Sequence, residues 1–290
     1  MWLVGAGYWG KKIISGLDTF GISPKVIDIR NGDTIDKISD KDPVILATPL
    51  WDHYKQATQI LLNGNDLYVE KPLAENESQI LDIESKIQKD QVLMIGHIFV
   101  THPQLNTIKQ IISDGTIGKL LHISSMRMNW GIYQTKTDPV LSLATHDISI
   151  INSLVEHPLK INSVNSWKIH NQTQKDRVWF CGSSDNITFD VDVSWCSPVR
   201  TRKTIIIGET GQIIWDQDEN SILIEKNIIE NNKAIKDTDP KTINYNFQYS
   251  PLEYELKHYI DCIDNRRTPF ANITQAKQIA NVMDQVRVGL

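Results

Sequence analysis

The sequence is poor in cysteine, in long apolar runs and in positive charge, and each shortage excludes a class of protein. Its three cysteines, Cys181, Cys196 and Cys262, lie at no spacing typical of zinc ligands or of a disulfide framework. We therefore expect no metal site and no disulfides, and a reducing, cytoplasmic environment. No stretch approaches roughly 18 uninterrupted apolar residues, and Met1 is not followed by a basic leader, so neither a membrane span nor a signal peptide is predicted.

The charge balance argues against a nucleic-acid partner. The chain has 30 Lys and Arg residues against 35 Asp and Glu residues, a formal net charge of -5. Proteins that bind nucleic acid by neutralising phosphates carry the opposite sign. With 40% hydrophobic and 22% charged residues, the composition is that of a globular protein, and a length of 290 residues predicts two domains.

The first part of the chain alternates short apolar runs with amphipathic stretches, which is typical of βαβ units and a parallel sheet. We predict a first domain over residues 1–118. Its expected strands are 2–4, 25–29, 43–47, 66–69 and 92–95, and its expected helices are 8–17, 53–63 and 76–89.

From residue 119 to residue 290 the pattern predicts an α+β domain with a largely antiparallel sheet. Residues 187–195 alternate strictly between apolar and polar side chains. Further strands are expected at 120–128, 160–169, 177–181, 203–207, 212–215 and 221–225, with helices 141–155, 252–265 and 273–288 covering one face; the last helix is also placed to pack back on the first domain. The other face, on which we expect Ile187, Val191 and Trp195, predicts a homo-dimer or tetramer.

A glycine motif follows the first predicted strand. Residues 5–10 read GAGYWG, which fits G-x-G-x-x-G at the start of a helix. Gly5 allows the tight turn, Gly7 lets a pyrophosphate approach the backbone, and Gly10 allows close helix packing. The motif predicts a Rossmann dinucleotide-binding domain, in which Tyr8 and Trp9 also line the cofactor site.

Asp28 and Arg30, at the end of the second predicted strand, bear on the choice of dinucleotide. Asp28 lies eighteen residues after Gly10, close to the spacing of an acid that binds a ribose 2'-hydroxyl, and favours NAD. Arg30 can instead hold the 2'-phosphate of NADP. Asp28 has an alternative interpretation as the cap of a turn at Asn31 and Gly32.

The next two strand ends carry Thr48, Pro49 and His53, and then Glu70 and Lys71 within a Glu-Lys-Pro segment. With these motifs the sequence resembles the glucose-fructose oxidoreductase, inositol dehydrogenase and rhizopine catabolism (Gfo/Idh/MocA) family of NAD(P)-dependent oxidoreductases. The resemblance extends through Gly96-His97, Pro103, Asp114-Gly115, Gly118-Lys119, His146-Asp147, Gly208, Gly211 and the late pattern of Leu252, Glu255, Asp261, Cys262, Ile263 and Pro269.

The resemblance implies hydride transfer between a nicotinamide and a carbon bearing a sugar hydroxyl or ketone. Lys71 would hydrogen-bond the reacting oxygen and relay its proton, and Thr48, Pro49, His53 and Glu70 would contact the cofactor. A lysine at such a site is expected to have a lowered pKa.

A second catalytic segment in the family reads Asp-x-x-x-His on a helix. His146 occupies the histidine position, but Ser142 stands where the family has the acid, which weakens the implied proton relay. Asp147 points about 100° away around a helix and is expected to contact substrate or to cap a loop.

The remaining candidates concern the substrate. His97, His102 and Asn129 lie at predicted strand ends, and each can be functional or structural. Residues 200–203 form a basic cluster in which Arg202 is the candidate ligand for the diphosphate of a sugar nucleotide; the alternative is a solvated hairpin end. We expect a sugar nucleotide such as a UDP-N-acetylhexosamine or its uronic acid. The alternatives are a free cyclitol or aldose dehydrogenase and a dinucleotide-sensing regulator without turnover.

The first domain is shorter than the resemblance implies. Only fourteen residues separate Asp28 from the strand at 43–47. The family places a helix, a strand and another helix there, and fourteen residues are too few for them. We therefore predict a dinucleotide-binding domain trimmed after its second strand, with a more open adenine pocket and weaker dinucleotide binding.

Overall fold

The computed structural model describes residues 1–130, 137–170, 173–235 and 237–290. The chain divides into two compact units, the first formed by Met1–His102 and Tyr249–Asn281 and the second by Pro103–Gln248 and Val282–Leu290. These units differ from the predicted domains because residues 103–118 lie in the second unit and residues 249–281 lie in the first. Among the described residues, no helix is long and apolar enough to span a membrane.

The first unit contains a five-stranded parallel sheet with helices packed against it. The strands are β1 (Trp2–Val4), β2 (Lys25–Ile27), β3 (Val44–Leu46), β4 (Leu67–Glu70) and β5 (Leu93–Gly96), in the order β2-β1-β3-β4-β5. The helices are α1 (Tyr8–Asp18), α2 (Leu50–Leu62), α3 (Glu77–Glu84), α6 (Pro251–Asn265) and the first part of α7 (Ile273–Val288). Every residue of β3, β4 and β5 is buried, as expected for strands covered on both faces. The predicted α/β fold is confirmed.

The predicted trimming after the second strand is confirmed. Residues 28–43 are all described, and they form two short 3₁₀ turns, Ile29–Asn31 and Ile35–Lys37, instead of a helix–strand unit. The chain therefore passes directly from β2 on one side of β1 to β3 on the other, and β2 forms the edge of the sheet.

Helix α6 packs on the parallel sheet, which corrects the expectation that it covers the antiparallel sheet. It begins at a capping box formed by Ser250 and Glu253. Its apolar face joins the core of the first unit, where Leu256 approaches helix α1 so closely that a Cβ on Gly16 would lie 2.8 Å from Leu256 Cδ1. An amphipathic pattern shows that a helix has a packing partner, but not which sheet that partner is.

The second unit contains the predicted, largely antiparallel sheet. It has eight strands in the order β15-β12-β11-β10-β6-β9-β8-β7, and β6 and β9 are its parallel pair. The strands are β6 (Leu120–Trp130), β7 (Lys160–Trp167), β8 (Arg177–Ser184), β9 (Ile187–Ser194), β10 (Cys196–Gly208), β11 (Gly211–Asp216), β12 (Ser221–Lys226) and β15 (Lys241–Asn244); β13 (Ile228–Glu230) and β14 (Lys233–Ile235) form a separate hairpin. The unit also contains α4 (Pro103–Ser113), α5 (Thr145–Leu154) after a π-helical turn at Val140–Ala144, and the end of α7.

The apolar face of β9 is buried inside the second unit. Val191, Val193 and Trp195 are at most 2% exposed. The expectation that Val191 and Trp195 lie on an open face is therefore wrong: apolar and polar residues alternate along β9 as predicted, but the apolar side faces the core. The outer face of β9 carries Asp190 and Asp192.

Candidate functional site

The carboxyl ends of all five parallel strands meet at one edge of the first unit's sheet. Along this edge lie Asp28 after β2, the glycine loop after β1, Thr48 after β3, Lys71 after β4 and His97 after β5. The strand order reverses between β1 and β3, and α/β sheets bind ligands at such a switch point. The edge therefore brings together most of the predicted cofactor residues.

The glycine loop has the conformation that its three glycines require. Gly5 has φ +102°, and a Cβ there would lie 2.6 Å from the Ala47 carbonyl oxygen. A Cβ on Gly10 would collide with the Gly5 carbonyl oxygen. Gly7 precedes helix α1 without a capping side chain, and a Cβ on it would meet no atom within 4 Å. The backbone at Gly7 thus faces open space at a helix N-terminus, which fits the pyrophosphate of a dinucleotide.

Asp28 is held by Arg30. The Arg30 guanidinium donates two hydrogen bonds to the Asp28 carboxylate, at 2.9 and 2.6 Å, and lowers the pKa of that carboxyl. Asp28 also accepts from the backbone N–H of Arg30 and caps the turn that ends at Gly32. The turn-cap interpretation therefore holds, and the Asp28 carboxylate is a charged group with a cation already beside it.

His53 is buried and joins two of the strand-end loops. Its ring nitrogens lie 2.8 Å from the Thr48 carbonyl oxygen and 2.8 Å from the Pro72 carbonyl oxygen. Both oxygens only accept, so a neutral ring bonds one of them and a protonated ring bonds both. Burial lowers the pKa of His53. The side chain is 1% exposed, so we assign it to holding the Thr48–Pro49 turn against the Lys71–Pro72 turn rather than to contact with a cofactor.

Glu70 lies in a buried cluster of carboxyl and aromatic side chains. Trp9 Nε1 donates a hydrogen bond to Glu70 Oε1, so the helix that follows the glycine loop is tied to the end of β4. The Tyr68 hydroxyl lies 3.1 Å from Glu70 Oε1 and 2.8 Å from Glu255 Oε2. A Cβ on Gly96 would lie 2.6 Å from the Tyr68 hydroxyl, so this position in β5 requires glycine.

The cluster must contain a proton besides that of the tyrosine. One hydroxyl hydrogen can satisfy only one of two carboxylates, so the second contact requires a protonated carboxyl that donates to Tyr68. Burial raises the pKa of Glu70 to about 7, and burial together with the Glu70 charge raises the pKa of Glu255 well above its ordinary value. Because Trp9 and the Lys71 charge favour ionisation of Glu70, we assign the proton to Glu255.

Lys71 and His97 complete this edge. Lys71 is half-buried and directly follows Glu70 in the chain. His97 is 2% exposed; burial, and then the Lys71 charge, lower its pKa to about 3, so its ring is neutral. Its Nδ1 atom is buried and has no hydrogen-bond partner among the described residues. Burial likewise lowers the pKa of His102 to about 4.

The substrate candidates Asn129, Ser142, His146, Asp147 and Arg202 lie in the second unit. Asp147 is fully buried, where Arg127 donates hydrogen bonds of 2.8 and 3.0 Å to its carboxylate. Ser125 donates a third, at 2.7 Å. With both oxygens engaged in the core, Asp147 anchors helix α5 to the sheet, and we do not retain it as a substrate ligand.

The other three candidates near helix α5 and strand β6 keep some exposure. Ser142 and His146 are half-buried, as is Leu143, whereas Ala144 and Thr145 between them and Leu141 before them are buried. Both side chains thus lie on the outer stripe of this helical segment, although Ser142 belongs to its π-helical turn and accepts a hydrogen bond of 3.1 Å from Trp195 Nε1. Asn129 is half-buried near the end of β6.

The basic cluster on β10 splits into paired and unpaired charges. Arg200 pairs with Asp218 at 2.7 Å, and Lys203 pairs with Asp216 at 3.5 Å. Arg202 is half-buried, its Nε atom is fully buried, and that atom has no partner among the described residues.

The sequence analysis assigns no role in the site to three residues of these networks: Tyr68, Arg127 and Glu255. A signal existed for two of them. Glu255 interrupts the apolar stripe of α6, and Arg127 follows Ile123 and Ser125 on the inward face of β6. A charged residue at a core-facing position predicts a buried partner.

Comparisons with known proteins agree with this architecture. No family model matches the chain. The UDP-N-acetylglucosamine 3-dehydrogenase GnnA from Acidithiobacillus ferrooxidans superposes with a TM-score of 0.82 at 17% identity, covering 99% of this chain and 96% of that one. A levoglucosan dehydrogenase in complex with NADH superposes with a TM-score of 0.81 at 15% identity, covering 99% and 95%. The chain has the fold of these oxidoreductases. The resemblance to the Gfo/Idh/MocA family is confirmed at the level of the fold.

Sequence similarity covers a smaller part of the chain. The inositol 2-dehydrogenase of Rhodococcus jostii is 34% identical over 95 residues, which is 31% of this chain and 26% of that protein. The 2,7-anhydro-N-acetylneuraminate hydratase of Mediterraneibacter gnavus is 27% identical over 146 residues, or 44% of this chain and 39% of that protein. The matched part spans less than half the length of these curated relatives.

Proposed function

We propose that the protein is an NAD(P)-dependent oxidoreductase of the Gfo/Idh/MocA type, which transfers a hydride between the nicotinamide and a carbon that bears a sugar hydroxyl or ketone. The observation that carries the proposal is the common edge of Gly7, Thr48 and Lys71 on a sheet with this strand order. The full-length similarity to solved sugar dehydrogenases supports it.

The choice between NAD and NADP turns on Asp28 and Arg30. A ribose 2'-hydroxyl would share the Asp28 carboxylate with the Arg30 guanidinium. The Arg30 side chain is 70% exposed and can also pair with a 2'-phosphate. We propose NAD as the cofactor and expect NADP to be accepted as well.

In this proposal the chain's own residues position the reactants and move one proton. The bound nicotinamide supplies the hydride chemistry. Lys71 donates a hydrogen bond to the reacting oxygen, gives up or takes its proton, and lies beside the Glu70 carboxyl, whose state of ionisation sets the local charge. His53 holds the Lys71–Pro72 turn in place. His146 is the second catalytic candidate, with Ser142 as a hydrogen-bonding neighbour on the same helical segment.

We propose a sugar nucleotide as the substrate, because GnnA, whose name specifies UDP-N-acetylglucosamine, is similar over almost the whole chain. A free cyclitol is the second candidate, favoured by the 34% identity to the inositol 2-dehydrogenase over 95 residues. A panel of UDP-sugars, free sugars and inositols, followed by the absorbance of reduced nicotinamide, separates these two candidates.

We also propose that copies of the chain associate as a homo-dimer or tetramer through the outer face of the eight-stranded sheet. Ile205, Ile207 and Ile214 stay half-exposed on this face, on the neighbouring strands β10 and β11. Apolar surface of this kind favours self-association. Light scattering during gel filtration tests the proposal, and a monomer would contradict it.

Lys71→Ala tests the catalytic assignment. We expect kcat to fall by a factor of about 100 or more while the Kd of the dinucleotide changes little, because a proton relay acts on the chemical step. Lys89→Ala, which removes an exposed lysine from the same unit, is the matched control. Turnover that survives Lys71→Ala would overturn the role of Lys71, and dinucleotide binding without turnover on any substrate class would favour the regulator.

A further inference from the structure

One arginine of the second unit carries a half-buried charge that the surrounding protein does not balance. Strand β10 places Arg202 in register with Arg127 of β6. Thr204 and Ile206, further along the same face of β10, are fully buried. Arg202 therefore lies on the inward face of the sheet, and it is less buried than Thr204 and Ile206.

The charges around Arg202 are already paired with one another. Arg127 is neutralised by Asp147, Arg200 by Asp218, and Lys203 by Asp216. These three acids each neutralise one of the three cations, and the described residues include no ion-pair partner for Arg202. Burial and the charges of Arg127 and Arg200 lower the pKa of Arg202, as expected where positive charge is in excess.

A half-buried guanidinium without a partner is costly to keep unless a ligand supplies the missing charge. Its planar group of N–H donors matches carboxylate and phosphate oxygens, and charge-assisted hydrogen bonds of this kind are strong and directional. Asn129, on the same face as Arg127, adds an amide that can bond neutral hydroxyls.

We infer that Arg202 binds a negatively charged group, a carboxylate or a phosphate, on the substrate. The inference rests on the proposed function and adds the class of substrate, which is an anionic sugar rather than a neutral cyclitol or aldose. Both the diphosphate of a sugar nucleotide and the carboxylate of a sugar acid supply this chemistry.

The test is calorimetric titration of the full chain with UDP, D-glucuronate and D-glucose, in the presence of NAD⁺ so that the dinucleotide site is occupied. At least one anion should bind, and Arg202→Gln should weaken its binding tenfold or more, the loss expected for a charged hydrogen-bonding partner. Arg202→Lys should recover part of this affinity. Arg267→Gln, which removes an exposed arginine from the first unit, should leave it unchanged. A response to UDP alone identifies phosphate as the recognised group, and a response to D-glucuronate alone identifies carboxylate.

Stability gives an independent readout. Removing an unpaired, half-buried charge should leave Tm equal to or above that of the wild type. A clear fall in Tm after Arg202→Gln would show that Arg202 is structural and would overturn the inference. It would also be overturned if neither anion binds, or if Arg202→Gln and Arg267→Gln act alike.

The NAD⁺ titration tests the proposed function separately. NAD⁺ binding without binding of either anion overturns only the substrate class. Anion binding that depends on Arg202 in a chain that does not bind NAD⁺ supports the anion site and overturns the dinucleotide-dependent function.

Discussion

The Glu255→Gln substitution tests the proton that we assign to the buried carboxyl cluster. Glutamine is a neutral counterpart of a protonated glutamate and can also donate to the Tyr68 oxygen. If Glu255 is protonated in the fold, the substitution preserves the charge of the cluster at neutral pH. Its effect should then appear in the pH dependence of stability rather than in the structure.

The magnitude follows from the pKa of Glu255 in the two states. A glutamate ionises near pH 4.5 in the unfolded chain, whereas burial raises the pKa of Glu255 well above that value in the fold. The folded wild type thus keeps a proton that the unfolded chain releases, and its free energy of unfolding falls by about 1.4 kcal/mol per pH unit above pH 4.5. The variant escapes this loss, so its stability relative to the wild type should rise by about 3 kcal/mol between about pH 4.5 and 7.

Urea unfolding at a series of pH values measures this difference. Buried histidines such as His53 and His97 have lowered pKa values, so their contribution to the free energy of unfolding rises with pH. This contribution is the same in both proteins and cancels when the variant's curve is subtracted from that of the wild type. Glu253→Gln, two residues away on α6, is the control. The capping hydrogen bonds lower the pKa of Glu253, so the stability that its ionised form contributes is lost only as the pH falls below about 4.5. The difference curve for Glu253→Gln should therefore be flat above about pH 5. A flat curve for Glu255→Gln would refute the protonated carboxyl.

Two further predictions concern stability and cofactor binding. Asp147→Asn removes the carboxylate that neutralises the buried Arg127 charge and should cost about 3–5 kcal/mol in urea unfolding, whereas Asp218→Asn at the exposed Arg200 pair should cost less than about 1 kcal/mol. Gly5→Ala should destabilise the fold because its φ is positive and Ala47 leaves no room for a Cβ, whereas Gly7→Ala should leave Tm unchanged and weaken dinucleotide binding by titration. Equal costs at the two aspartates, or equal effects at the two glycines, would contradict these assignments.

The parallel sheet and its functional edge were predictable because both depend on local patterns. Continuous apolar runs define strands that are buried on both faces, and the carboxyl ends of parallel strands always meet at one edge. Motifs that follow those strands, such as residues 5–10 and Lys71, are thereby located before any contact is known. The short connection between Asp28 and β3 was equally visible, because it is a matter of length.

The partners of charged residues could not be predicted from the sequence. Tyr68 and Glu255 are 187 positions apart, and their contact depends on α6 packing on the parallel sheet, which its amphipathic pattern does not specify. The helical angle between His146 and Asp147 indicates that the two side chains point in different directions. Only the fold shows that the Asp147 carboxylate pairs with Arg127. The isolation of the Arg202 charge was equally hidden. The sequence shows only a basic cluster at residues 200–203, whereas the fold pairs Arg200 and Lys203 with acids and gives Arg202 none among the described residues.

Asp147 and Glu255 are both buried acids, but they are neutralised in different ways, and the two ways have different consequences for stability. Asp147 is neutralised by a guanidinium, so its charge is satisfied and strengthens the attachment of α5 to the sheet. Glu255 is neutralised by a proton, which the unfolded chain gives up, so its cost grows as the pH rises. The first unit therefore accepts a pH-dependent loss of stability at the very strand end that carries Lys71. A strained or costly group is most readily retained where function needs it, and Glu70, with a pKa raised to about 7, can change its charge beside Lys71 in the range where a proton relay operates.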